Sequence, residues 1–78
     1  MPAPDGTLGV GICGVGWCAS QHIVAFQRNP HTRVLWLCGR DRDRTLANLK
    51  KYGIEAPGAR ITTRYEDLLA DPEVDIIS

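Results

Sequence analysis

Residues 7–19, TLGVGICGVGWCA, constrain the fold of this chain more than any other stretch. Leu8, Val10 and Ile12 alternate with small residues, the period of a strand, and the spacing predicts one over Thr7–Cys13. Gly9 and Gly11 weaken that strand locally and allow another backbone to approach it closely. From Trp17 to Arg28 the period changes. Ala19, Ile23 and Phe26 fall at i, i+4 and i+7, one face of a helix, with His22 on the same stripe. Asn29-Pro30 ends it. The chain must therefore pass from strand to helix within Gly14-Val15-Gly16.

Two glycine frames are present. Gly9-Val10-Gly11-Ile12-Cys13-Gly14 reads G-x-G-x-x-G, and Gly14-Val15-Gly16-Trp17-Cys18-Ala19 reads G-x-G-x-x-A. Such a pattern has physical meaning only between a strand and a helix. The first frame would need residues 1–8 as its strand, which Pro2, Pro4 and Gly6 forbid, so the second is taken. In it Gly14 permits the tight turn, Gly16 lets a pyrophosphate approach the backbone, and Ala19 lets the helix pack near the sheet. The first-turn amides near Trp17 and Cys18 lack intrahelical acceptors, and with the helix dipole they form an anion site. The expected pyrophosphate contact is therefore Gly14, Val15, Gly16, Trp17 and Cys18. The alternative is a glycine turn that only reverses the chain.

The rest of the chain repeats the alternation. Thr32–Cys38 (TRVLWLC) ends in a continuous apolar run, as in a strand covered on both faces. A helix follows the charged stretch Arg40–Arg44 and runs to about Lys51, with Leu46 and Leu49 inward and Gly53 at its C′ position. Glu55–Gly58 is loop, and Arg60–Thr62 is a short strand. Thr63-Arg64-Tyr65-Glu66 reads as a capping box opening a third helix, with Tyr65, Leu68 and Leu69 on its apolar side. Asp71-Pro72 breaks that helix, and Val74–Ser78 begins a fourth strand. The order β-α-β-α-β-α-β requires crossover connections and a parallel sheet. The expected class is α/β, a partial Rossmann-type parallel sheet truncated before the rest of its domain. Residues 1–6 form a leader and residues 7–78 an incomplete dinucleotide-binding domain.

Charge and cysteine usage narrow the partners. Nine Lys+Arg balance nine Asp+Glu, so no net field draws the chain to nucleic acid or a membrane surface. No apolar run approaches a membrane span. The opening MPAPDG has neither a basic start nor an apolar core, which leads us to expect no signal peptide and a cytoplasmic chain. Cys13, Cys18 and Cys38 are odd in number and lack metal-site spacing, so neither a disulfide framework nor a metal site is expected. The outer edge of the fourth strand, with Ile76 and Ile77, leaves self-association into a homo-oligomer open.

The end of the second strand bears on the cofactor. A dinucleotide-binding unit commonly carries Asp or Glu here, accepting from the ribose 2′-OH. This chain has Gly39-Arg40-Asp41. Gly39 leaves room, and Arg40, with Arg44 one turn on, supplies cations for a 2′-phosphate. That favours NADP. Asp41 folding back to the ribose would restore NAD, and a solvated helix start with local ion pairs is the bland alternative. His22, Cys13 and Cys38 read as packed residues, and Trp36 as sheet core. Cys18 has no evident base partner, and Trp17 is placed to wall the nicotinamide side.

These residues resemble the N-terminal half-domain of the glucose–fructose oxidoreductase / inositol dehydrogenase / MocA (Gfo/Idh/MocA) family. The matching segments are Val10–Gly16 followed by His22, Cys38–Asp41, Thr63–Leu69 and Asp71–Ile77. The resemblance implies an NAD(P)-dependent oxidoreductase acting on sugars, polyols or related hydroxyl and carbonyl compounds. Gly14, Gly16 and Ala19 match the family's phosphate-turn positions, and Gly39 resembles its NADP users. The family's Glu-Lys-Pro motif and its substrate-binding domain come after the fourth strand. No residue here is therefore catalytic by carry-over, and a small-molecule substrate is expected only in a complete chain. A fragment inactive alone is the leading expectation, and a non-catalytic nucleotide-binding or regulatory module is the alternative. A methyltransferase, whose glycine turn is similar, is disfavoured by the closing segment and by the missing acid after the second strand.

Overall fold

The computed structural model describes residues 5–14 and 17–78, with the side chains of Trp17 and Cys18 outside that set. Four strands and three helices alternate: β1 (Leu8–Cys13), α1 (Trp17–Arg28), β2 (Thr32–Cys38), α2 (Arg42–Lys51), β3 (Arg60–Thr62), α3 (Tyr65–Ala70) and β4 (Val74–Ile77). The strands form one sheet in the order β3-β2-β1-β4. All three pairings are parallel. The chain steps outward from β1 to β3, then returns to the far side of β1. That reversal makes a switch point between β1 and β4, and in open α/β sheets ligands bind at the carboxyl ends of the strands beside such a point.

One face of the sheet carries the core. Val10 and Ile12 of β1 and Leu37 of β2 cluster with Ile23 of α1 and Leu49 of α2. Ala19 and Phe26 pack against the cluster, as the helical stripe predicts. The opposite face receives α3, and here β1 must be thin. A Cβ on Gly11 would lie 2.7 Å from a methyl of the buried Leu68, and one on Gly9 would overlap the Glu73 carbonyl. The two strand glycines thus let α3 and the approach to β4 lie directly on β1.

Helix α2 closes with a Schellman motif. Gly53, at φ +66°, donates to the Lys50 carbonyl, and Ile54 donates to Leu49. The left-handed conformation is cheap only for glycine. The phase of this helix differs from the one its apolar spacing predicts. Thr45 and Leu49 face inward while Leu46 is 43% exposed. Thr45 turns in because its hydroxyl donates to the Asp41 carbonyl at 2.8 Å.

The third helix also departs from expectation. Thr63 and Glu66 form no capping box. Arg64 is the N-cap and makes no side-chain cap bond. Thr62 organises this turn: its hydroxyl accepts from the Arg64 amide at 3.0 Å and donates to Asp67 at 2.5 Å. Of the three apolar residues expected inward, Leu68 is buried, while Tyr65 and Leu69 are exposed. A helix of six residues has room for one buried anchor, and Leu68 takes it over Gly11.

Trp36 lies half-buried on this second face instead of in the core. Its indole N–H donates to Asp71 at 2.7 Å, and the Arg60 guanidinium lies 5.4 Å from its ring centroid. Asp71 also accepts from the Glu73 amide at 2.8 Å, so one carboxylate ties β2 to the α3–β4 turn. These bonds, the Trp36 contact first, hold the Asp71 carboxyl below the usual carboxylate value of 3.8. A group depressed on folding contributes stability that is present above its unfolded value and lost as pH falls through the folded one. Asp71→Asn should therefore be less stable than the parent near pH 6. The gap should narrow as pH falls below 3.8. Paired urea titrations between about pH 6 and pH 3 check this. A gap independent of pH would contradict it.

Candidate dinucleotide-binding site

The carboxyl ends of the strands are laced together by backbone hydrogen bonds. Cys13 donates to the Ser78 carbonyl at 2.8 Å, Gly14 to Cys38 at 2.6 Å and Gly39 to Thr62 at 3.1 Å. Ser78 in turn donates to Gly11 at 2.9 Å. One continuous edge results, and Gly14 lies at its middle. Gly14 has φ +78°, a conformation side-chain-bearing residues rarely adopt, and among the described residues nothing lies within 4 Å of where its Cβ would be. That positive φ suits the tight turn expected of it. Val15 and Gly16 lie outside the described residues, as does the expected wall formed by the Trp17 side chain. Ala19 packs against the core cluster, as a residue admitting close helix–sheet contact should.

Beside Gly14 a cleft of ≈ 320 Å³ is lined by Gly39, Arg40, Asp41, Arg44, Thr45 and Asn48. The structure thus brings Gly14 together with the four positions expected at the end of β2. Arg40 and Arg44 are both exposed and supply two cations to the cleft wall. Arg42, between them, instead reaches the Ile61 carbonyl at 3.3 Å, at the end of β3. Asp41 is the N-cap of α2, accepting from the Arg44 amide at 3.1 Å. Its carboxylate is engaged in holding the helix start.

Gly39 proves to have a structural reason of its own. A Cβ there would overlap the hydroxyl of Thr45, and Thr45 is 4% exposed with that hydroxyl bonded to Asp41. Glycine brings α2 close enough for Thr45 to reach over the strand end. An acidic side chain at 39 would therefore disturb α2. Sequence reasoning misses Thr45 and Asn48 as cleft residues, because the apolar period turns Leu46 inward.

A second hollow of ≈ 260 Å³ shares Gly14, Gly39 and Arg40 and adds Cys13, Cys38, Thr63 and Tyr65. Thr63 and Tyr65 were legible only as helix-start residues. The third strand ends at Thr62, so the turn from β3 into α3 reaches the same edge. His22 is exposed and not inward, and its Nδ1 lies 3.1 Å from the Ser78 hydroxyl at the switch point. Among the described residues no group of three or more His, Cys, Asp and Glu is gathered as a metal would need. No described helix is long and apolar enough to cross a membrane.

Residues 8–78 match the model of the Gfo/Idh/MocA oxidoreductase family, NAD-binding Rossmann fold. The chain belongs to this family. The Gfo/Idh/MocA assignment agrees with the sheet order and with the cleft at its carboxyl edge. A nicotinamide dinucleotide is accordingly the cofactor class. Among solved structures, GenD2 from gentamicin A biosynthesis, in complex with NAD, superposes with a TM-score of 0.74 at 27% identity. The match covers 91% of this chain and 19% of that one. The myo-inositol dehydrogenase of Lactobacillus casei, in complex with NAD(H) and myo-inositol, gives 0.72 at 21%, covering 91% and 20%. Levoglucosan dehydrogenase, in complex with NADH and levoglucosan, gives 0.70 at 16%, again covering 91% and 20%. The last two likenesses speak to the fold alone. The chain spans about a fifth of the length of these proteins. Comparison with curated proteins gives no match.

The contact between Gly39 and Thr45 yields a test in double-mutant form. Gly39→Ala should destabilise the chain by about 1–3 kcal/mol, the usual cost of overpacking. Thr45→Ala removes the overlapped hydroxyl, so adding it to Gly39→Ala should recover part of that loss. Chemical unfolding of both single variants and the double variant gives the coupling energy. Purely additive effects would show that Gly39 does not meet Thr45.

Proposed function

We propose that residues 7–78 form the cofactor-binding part of an NADP-dependent oxidoreductase acting on sugars, polyols or related hydroxyl and carbonyl compounds. The single observation that carries the cofactor choice is the cleft joining Gly14 to Gly39, Arg40 and Arg44. Its geometry suits a dinucleotide. The left-handed turn at Gly14 and the first-turn amides of the 12-residue α1 suit the pyrophosphate. The adenosine ribose would then lie toward the end of β2, where no carboxylate stands at position 39. Arg40 and Arg44 would hold a 2′-phosphate by charge-assisted hydrogen bonds.

A nicotinamide dinucleotide held by these residues would supply hydride exchange with a substrate carbon. This chain's own residues bind and orient. The strand-end lacing fixes Gly14 against Cys38, and the Asp41 cap fixes the start of α2, so the amides and the two arginines keep a set separation. Among the described residues none stands out as moving the substrate proton. These 78 residues account for binding, and the related structures that hold NAD or NADH are about five times longer. The family resemblance supports the substrate class, and two of the fold relatives bind compounds of that kind, myo-inositol and levoglucosan.

NAD is the second reading, and a specific observation favours it: GenD2 and the two dehydrogenases hold NAD or NADH. The two readings separate at Arg40. An interaction of this kind is worth about 1.5–3 kcal/mol. Arg40→Ala should then raise the Kd for NADP by roughly tenfold to a hundredfold and leave that for NAD nearly unchanged. Titration calorimetry with both cofactors at one ionic strength measures this. Tighter binding of NAD by the parent chain, or equal weakening of both cofactors, would refute the NADP reading. The Gly39→Asp exchange is a poor probe, since its Cβ would strike Thr45.

A further inference from the structure

We propose that Cys13 and Cys38 form an oxidisable dithiol at the carboxyl edge of the sheet, closed to an intramolecular disulfide by small-molecule disulfides of the glutathione class. The two residues end adjacent strands and are partners in the β1–β2 register. Neighbouring strands lie about 4.8 Å apart, inside the window of about 4.4–6.8 Å that a disulfide spans between Cα atoms. The Gly14 amide, bonded to the Cys38 carbonyl at 2.6 Å, pins the strand ends at that spacing.

Alternation puts both side chains on one face. Ile12 and Leu37, the preceding partners, point into the core cluster. Cys13 and Cys38 therefore point to the other face, where they line the ≈ 260 Å³ hollow with Thr63 and Tyr65. Both are free thiols. Burial pushes the Cys38 thiol up, and the adjacent Cys13 adds to that shift, as two facing sulfurs should.

The half-buried Cys13 is the more accessible partner, while Cys38 is 8% exposed. The Cys13 thiolate attacks one sulfur of the small disulfide, whose S–S bond breaks, and one small thiol leaves carrying a proton from solvent. Cys38 then gives its proton to solvent and attacks the Cys13 sulfur, which expels the second small thiol. The protein loses two electrons and two protons, and the small disulfide gains them to become two thiols. This chemistry needs no bound nucleotide.

The test uses the full chain with Cys18→Ser, incubated with increasing oxidised glutathione. Circular dichroism confirms the fold, and mass spectrometry is applied after digestion by trypsin. The expected product is lighter by two hydrogens and carries no glutathione, with the peptide of residues 1–28 joined to that of residues 34–40. Half-oxidation should need roughly tenfold less oxidant in buffer than in urea, because the fold raises the effective concentration of one thiol at the other. Stable glutathione adducts on both cysteines would overturn the proposal, as would equal or weaker disulfide formation in buffer. Should serine at 18 disturb the start of α1, the parent chain replaces it. Fragmentation of the joined peptides then assigns Cys13 or Cys18 as the partner of Cys38, and a link from Cys18 likewise overturns it.

Discussion

Strand β1 is hydrogen-bonded to β2 on one side and to β4 on the other, and this double pairing governs the geometry of the site. A strand in that position has no edge to give away. Its carboxyl end is fixed by Cys13 bonding to Ser78 and Gly14 bonding to Cys38. The turn into α1 consequently leaves the sheet where the strand order reverses. The same centrality explains the composition of β1. Val10 and Ile12 fill one face, while Gly9 and Gly11 keep the other flat enough for the Glu73 backbone and Leu68.

The cleft wall depends on a smaller chain of contacts. Asp41 caps α2 with its carboxylate, and its carbonyl receives both the amide and the hydroxyl of Thr45. Thr45 can turn inward only because Gly39 has no Cβ. Arg40 and Arg44 flank this packed unit, so the cations are carried on backbone that the fold holds in place. The glycine proposed to leave room for a phosphate is the same one that leaves room for the helix.

Local chemistry made much of this legible. The change from a two-residue to a 3.6-residue period marked β1 and α1, the glycine frame marked the turn, and Gly53 marked the end of α2. The residues expected at the end of β2 do meet Gly14 across one cleft. What sequence reasoning missed depends on contacts distant along the chain or on helix phase. Leu46 fits an apolar stripe as well as Thr45 does, until the Asp41 carbonyl and the missing Cβ at 39 decide the rotation. Thr63 and Glu66 satisfy a capping pattern, yet the hydroxyl that meets the Arg64 amide is that of Thr62. Trp36 reads as core because nothing local shows that Asp71, 35 residues away, accepts its indole N–H.

On the proposed function, the carboxyl edge of the sheet holds the dinucleotide. Amide chemical-shift mapping of the labelled chain during titration with NADP tests it most directly. A roomier hollow of ≈ 430 Å³ exists elsewhere, lined by residues including Gln27, Thr32, Arg33, Glu55 and Ala56, so size alone does not choose the site. Saturable shifts concentrated at Gly14, at the first turn of α1 and at Gly39–Thr45 are expected. Saturable shifts centred on Thr32–Val34 and Glu55–Ala56, or no saturable shift at the strand ends, would contradict it.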